Sequence, residues 1–364
     1  MSTWLKRVIS ISLALFFILI MIIPINLYNS KVFFSEGDVL EIKKGDSLNK
    51  IIDVLEEDFD FQSGAKLKIM MKVLFLDEDI KPGKHSLSDV SSISELIKNL
   101  TTYPKNEVRI TILEGWKVSQ VANYLERKLE LVNSEKFKAL CKDKEFINKN
   151  LVHKIGFHDV DNLEGYLYPE TYHIDAYLTE EELIKIFVKE FMEKTKRYRN
   201  DINNEIMIIA SIIEAETDLV SEMDTVSCVY NNRIYHVPEV DRYNRANGFD
   251  EVGLPRMRLQ SDPTVLFYMS DKDFADFKES KPGTRTFGKL WRKYKNMDNP
   301  YNTYKKLMPP GPINSPRLEA IEAALNPLTP QDSCFYLFMF SKSGSKRHVF
   351  SSSPGGHNKI INSK

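Results

Sequence analysis

Two stretches, "VLEIKKGDSLNKIIDVLEED" (residues 39–58) and "VRITILEGWKVSQVANYLERK" (residues 108–128), align without a gap: Gly45 with Gly115, Ile51 with Val121, Leu55 with Leu125, Glu56 with Glu126. Each opens on alternating apolar residues, turns at the glycine, and continues with apolar residues at helical spacing. A period of two that changes to one of about 3.6 reads as strand, turn, helix, and Asp46 stands where the first helix should be capped. A weaker echo, "KPGKHSLSDVSSISELIKNL" (residues 81–100), turns at Pro82-Gly83 and sets Ile93, Leu96, Ile97 and Leu100 on one helical face. The repeated β-turn-α unit predicts an α+β protein.

Such units resemble LysM-like modules, and the resemblance implies small α+β domains that hold N-acetylated glycans. The alternative is that they space and pack the rest of the chain. The 364 residues suffice for two or three domains. With 50 Lys+Arg against 51 Asp+Glu, the net charge of −1 gives no basic field for a nucleic-acid partner. Cys141, Cys228 and Cys334 are far apart and in no Cys-x-x-Cys spacing, so they read as buried thiols rather than as a disulfide framework or a zinc site. The 7 histidines form no His-Glu-x-x-His pattern; neither a metal nor another cofactor is expected.

One segment is not globular. "VISISLALFFILIMIIPINLY" (residues 8–28) carries no charge over the ~20 residues a helix needs to cross a bilayer. Lys6 and Arg7 precede it, which by the positive-inside rule keeps the N-terminus cytoplasmic. No small-x-small cleavage site follows, so the expectation is an uncleaved single-pass anchor with the remainder of the chain extracytoplasmic.

Further on, residues 133–160 read as helical and charged, and in "DNLEGYLYPETYHID" (161–175) Tyr166, Tyr168 and Tyr172 alternate as in a strand, as sugar-stacking or packing residues. "IIASIIEAETDLVSEMDTVSCVYNNRI" (208–234) reads as one long amphipathic helix. Ile206, Ile209, Ile213, Glu216, Val220 and Met223 fall on one stripe, so Glu216 interrupts an apolar face; Glu214 lies on a mixed, mostly polar line with a solvated-face explanation. A carboxyl among Ile and Val loses hydration and its pKa rises, which suits a general acid that later acts as base. The alternative is a structural Glu216 paired with Arg233 or Arg258.

Past this helix come "LQSDPTV" (259–265), "YNTY" (301–304) before "PPGPINSP" (309–316), a helix from about Pro316 to Leu325, and a hairpin around Ser343-Gly344-Ser345 with "HVF" and "HN". Together with "LEGYLYPETY", "ASIIEAET" and "VYNNRI", these segments resemble the MltG (YceG-like) family of endolytic murein transglycosylases. The resemblance covers nearly the whole chain and implies residues 1–7 as cytoplasmic tail, 8–28 as transmembrane helix, 36–104 as first LysM-like module, 105–160 as second module and connector, and 161–364 as catalytic domain. It implies cleavage of the β-1,4 bond between N-acetylmuramic acid and N-acetylglucosamine inside nascent strands to leave 1,6-anhydro ends, near the peptidoglycan synthases (penicillin-binding proteins) of the inner membrane. Glu216 would be the catalytic acid, Glu214 the second choice, and Asn232, Gln260, Asp262, Tyr301, Asn302 and Tyr304 would line the glycan groove. Two segments, 234–255 and 271–298, are longer than the family leads one to expect and could extend or lid the groove, and Gly356 precedes His357 where an acidic residue is expected. The competing readings are a muramidase pairing Glu216 with Asp262 or Asp218, and a glycan-binding scaffold without activity.

Overall fold

The computed structural model of the chain describes residues 26–43, 45–104, 107–149, 160–280, 284–341 and 347–362. Its contacts divide into two units: residues up to Val108 with Asp175–Tyr177, and Arg109–Ile174 with Leu178 onward. Among the described residues no helix is long and apolar enough to cross a membrane; the span expected over residues 8–28 lies outside them except for residues 26–28.

In the first unit β1 (Val39–Ile42) pairs antiparallel with β2 (Gly83–Ser86), Val39 opposite Ser86, and α1 (Leu48–Asp58), α2 (Gly64–Val73) and α3 (Ile93–Thr101) complete the unit. The alternation expected of β1 holds, with Leu40 and Ile42 buried and Val39 and Glu41 exposed. Ile51, Ile52 and Leu55 of α1 and Ile93, Leu96, Ile97 and Leu100 of α3 form the core with Leu67, Met70 and Met71 of α2. Ser47, not Asp46, caps α1, its hydroxyl accepting from the Lys50 amide at 3.3 Å; Asp46 instead accepts from the Lys43 amide at 2.9 Å inside the turn. The echo at 81–100 supplies β2 and α3, so it closes the first sheet rather than forming a further repeat.

The second β-turn-α unit is β3 (Glu107–Thr111) and α4 (Val118–Lys128). Gly45 and Gly115 both sit at positive φ, +90° and +71°, a backbone region that a side chain disfavours, which explains why the two motifs share their glycine. Here β3 pairs with the distant β4 (Thr171–Asp175). Between them lie α5 (Ser134–Leu140) and α6 (Lys144–Ile147), and α7 (Glu180–Lys194) follows, started by a Thr179–Glu182 capping box. Tyr166, Tyr168 and Tyr172 are buried, Tyr166 against Phe191 and Tyr172 against Phe187. They are core residues and offer no face to a sugar.

The helix read over 208–234 is two helices. α8 (Asn204–Glu216) ends at the acid itself; Thr217 is extended (φ −141°, ψ 134°), its hydroxyl accepts from the Leu219 amide at 3.1 Å, and α9 (Val220–Asn231) starts after it. The stripe is therefore real through Ile209, Ile213 and Glu216, whereas Val220 is exposed. α8 is apolar on nearly every side because it is a central helix, packed between α9 and α14 (Leu318–Leu325), with the Pro-rich loop 309–317 clamped to it: the Ile313 amide donates to Ser211 Oγ at 3.0 Å and Asn314 Nδ2 to the Ser211 carbonyl at 2.8 Å.

The longer segments are mostly helical. A π-helical turn, Asn232–His236, leads into α10 (Val237–Ala246), whose Val237 and Val240 pack on Met257 and Leu337. α11 (Asp262–Phe267) is followed by α12 (Asp271–Glu279) and α13 (Arg285–Asn296), a pair closed by Phe277 on Phe287 and Trp291. The chain ends in the antiparallel hairpin β5 (Phe338–Ser341) and β6 (His348–Ser351), then α15 (Pro354–Asn362).

Cys228 on α9 is bonded to Cys334, 106 residues on, which corrects the reading of three free thiols; Cys141 alone is free, and burial pushes its thiol well up. Closing so long a loop restricts the unfolded chain. Reduction, or the pair Cys228→Ala and Cys334→Ala, is expected to lower the unfolding free energy by ~2–4 kcal/mol; urea titrations that coincide with and without reductant would contradict this.

Candidate active site

Glu216 ends α8, where the negative end of the helix dipole disfavours a further negative charge. Its Oε1 accepts from Tyr230 Oη (2.5 Å), one helix later, and from Ser261 Oγ (3.1 Å), just ahead of α11. Neither partner stands out in the sequence: "LQSDPTV" draws the eye to Gln260 and Asp262, while the residue between them makes the contact. Loss of hydration raises the Glu216 pKa above the usual carboxylate value, and the nearby charge of Asp262 adds to this; the hydrogen bonds from Tyr230 and Ser261 and the charge of His348 oppose it. The side chain still keeps a partly accessible edge. A solvent-reachable carboxyl raised toward its acid form, with one oxygen held, is an arrangement that can give up a proton.

The surroundings are stitched by Thr303. Its hydroxyl accepts from the Ser261 amide (2.9 Å) and meets Thr264 Oγ1 (2.8 Å), and its carbonyl takes the Gln260 amide (3.3 Å), so the "YNTY" and "LQSDP" segments form one wall. Gln260 is held at φ +50° in this wall, a left-handed conformation costing about 1–3 kcal/mol for a residue with a Cβ, which persists where surrounding contacts impose it. Asp262 Oδ1 accepts from Tyr304 Oη (2.5 Å), and Lys295 Nζ stands 4.0 Å from the Tyr304 ring centre. Crowding by protein pushes the Asp262 carboxyl upward, against the Tyr304 hydrogen bond and the charges of Lys295 and Arg233; its side chain is open to solvent, so it is the better hydrated of the two acids.

Arg233 does not pair with Glu216. Its Nε donates to the Leu337 carbonyl at 2.7 Å and its Nη1 to that of Leu259, with the guanidinium 5.7 Å from the Tyr230 ring centre. It ties α9 to the hairpin and the wall while its charge faces the phenol that holds Glu216. His348 Nδ1 lies 2.9 Å from Glu222 Oε2, and the His348 amide donates to the same carboxylate at 3.2 Å. Glu214 was expected on a solvated face, yet it is 5% exposed and gripped by Arg317, with Nε at 2.9 Å, Nη2 at 2.7 Å and the Arg317 amide at 3.0 Å. Burial pushes its carboxyl up against the pull of Arg317. A carboxylate so engaged is not free to shuttle a proton.

Of the six residues expected to line the groove, Gln260 and Asp262 are exposed and Tyr301 and Tyr304 half-buried. The remaining two point inward. Asn232 is fully buried and its Nδ2 donates to the carbonyls of Cys334 and Tyr336, each at 3.0 Å; Asn302 is fully buried and its Nδ2 donates to those of Lys295 (2.9 Å) and Met297 (2.8 Å). Asn232 thus braces the segment ahead of the hairpin and Asn302 the backbone at the end of α13, their amide donors taken up by backbone carbonyls. Among the described residues no three His, Cys, Asp or Glu side chains converge as a metal site would require.

Two Streptococcus pneumoniae proteins, from strains D39 and R6 and each called an endolytic murein transglycosylase, are 26% identical over 356 residues, a match to 88% of this chain. The chain spans only 57% of their length. A crystal structure of a yceG-like protein from Listeria monocytogenes superposes with a TM-score of 0.52 at 24% identity, over 91% of this chain and 99% of that one, and so shares its fold. The YceG-like family model matches residues 40–363, and the chain belongs to the YceG-like family.

Proposed function

We propose that the chain is an endolytic peptidoglycan lytic transglycosylase, with Glu216 as its general acid and base. The observation that carries this reading is the single buried-edge carboxyl at the end of α8, raised toward its neutral form and oriented by Tyr230 and Ser261; the names of the pneumococcal relatives support it. Protonated Glu216 gives its proton to the glycosidic oxygen as the bond from C1 of N-acetylmuramic acid breaks. The carboxylate so formed then takes the proton of that sugar's own 6-hydroxyl, whose oxygen bonds to C1. The products are a 1,6-anhydro end and a free 4-hydroxyl, with no water consumed and Glu216 returned to its acid form. One carboxyl suffices, where ordinary glycosidases need two. Gln260, Asp262, Tyr301 and Tyr304 offer amide, carboxylate and phenol groups to sugar hydroxyls and N-acetyl groups, while Asn302 braces the wall and Asn232 the segment ahead of the hairpin.

The same reading places the catalytic unit outside the cytoplasmic membrane, anchored through residues 8–28 and close to the synthases that extend the strand. The Cys228–Cys334 bond fits such a compartment, since disulfides persist where thiols are not kept reduced. The β-turn-α units would then serve as glycan-holding or spacing modules.

The nearness of Asp262 keeps a two-carboxylate hydrolase as the rival. Digestion of polymeric, uncrosslinked peptidoglycan by the full chain, with products identified by mass spectrometry, separates them. Internal cuts ending in 1,6-anhydro sugars are expected; reducing ends would favour the hydrolase, and binding without cutting a scaffold.

A further inference from the structure

A cleft of about 600 Å³ opens at the N-terminal end of α4, lined by Lys117, Ser119 and Gln120 there, by Lys138 and Lys142 near α5, by Glu164, and by Phe267, Met269 and Phe274 on an apolar side. It is contiguous with the wall of the candidate active site, because Tyr301 lines the cleft while packing against Phe267 in a tilted pair with ring centres 4.6 Å apart, and Phe267 ends the helix that Asp262 begins. Lys117 fixes the junction, its Nζ donating to the Phe267 carbonyl at 3.1 Å.

Three ammonium groups face two carboxyls in this lining. Asp161 is already paired with Lys144 at 2.6 Å, and Glu164, pushed up to about 7 by burial, is only partly ionised at neutral pH. Lys138 also meets the exposed Glu135, at 2.5 Å. The balance is positive, and the partial charge of the α4 N-terminus adds to it. Volume and chemistry together suit a few residues of an extended peptide: apolar floor for aliphatic side chains and cations for carboxylates.

We propose that this cleft is a subsite for the carboxylate-bearing peptide branches of the strand, a proposal that rests on the reading of the chain as an enzyme acting on peptidoglycan. A strand lying across Tyr301 would present a peptide to Lys138 and Lys142, so that the enzyme reads the decoration as well as the sugars.

The test compares short strands that keep their peptides with the same strands stripped of them by an amidase, titrated against the full chain. Peptide-bearing strands are expected to bind about tenfold more tightly, and the double variant Lys138→Ala and Lys142→Ala to lose most of that ratio. Lys142 is exposed, so Lys142→Glu alone, checked for an unchanged melting profile, should lower the ratio about threefold without risk to the fold. Equal affinity for both strands, no affinity for either, or a ratio that survives in both variants would overturn the subsite. Products from the same mixtures keep the two ideas apart: a lysine-dependent peptide preference without any cleavage would leave the subsite standing and sink the reaction.

Discussion

Glu216→Gln is expected to lower the rate of strand cleavage about 1,000-fold at neutral pH, since positioned acid–base groups contribute ~10²–10⁴-fold, with little change in KM. Glutamine keeps the shape of the side chain and an oxygen for Tyr230 and Ser261, so what disappears is the exchangeable proton. Wild-type rate should fall as pH rises through the elevated Glu216 pKa, because the acid form starts the reaction. Stability moves in the same sense. Between the ordinary glutamate value of 4.5 and the higher folded value, the folded chain keeps a proton that the unfolded chain has lost, so Glu216 costs the fold stability as pH climbs through that window. Glu216→Gln should therefore melt above the wild type at pH 8 and close to it at pH 4. Residual activity above a tenth of wild type would remove Glu216 from the role; Glu214→Gln, handled below its own melting temperature, is the control that should keep cutting.

How far these residues could be found in the sequence depends on the range of the contact concerned. The β-turn-α units were legible because strand period, turn glycine and helix period are local, and Gly45 and Gly115 carry their positive φ in their identity. Glu216 was legible because it breaks the face defined by Ile209 and Ile213 within α8. The end of α8 was not: Thr217-Asp218-Leu219 holds neither glycine nor proline, and the break is marked by the Thr217 hydroxyl, which takes the Leu219 amide. Residues that complete the site from afar were hidden. Ser261 comes from 45 positions away, Arg317 reaches Glu214 across 103, and Cys334 finds Cys228 across 106. For Asn232 and Asn302 the residue type suggested sugar, but amides serve buried backbone as readily, and depth decides between the two.

The second large effect is expected at Arg317. Arg317→Met should lower the unfolding free energy by ~3–5 kcal/mol, the range for removing one partner of a buried ion pair. Arg317 Nε and Nη2 and its own amide together occupy both oxygens of Glu214, whose side chain is 2% exposed, and nothing else among the described hydrogen bonds reaches that carboxylate. With the guanidinium gone, Glu214 must keep its charge on the Arg317 backbone amide alone or take up a proton, and either course weakens the fold at pH 7. Adding Glu214→Gln should recover more than half of the loss, because an amide is far less costly to leave there than a charge. Arg317→Lys should fall between, since an ammonium keeps the charge but lacks the planar fork. Urea titrations of the three variants decide it: a loss below about 1 kcal/mol for Arg317→Met, or no recovery in the double variant, would mean that the pair does not bear on stability. The pair joins the Pro-rich loop to α8 two residues before Glu216, so a loss of that size with an unchanged KM would separate its part in holding the helix end from any part in meeting the strand.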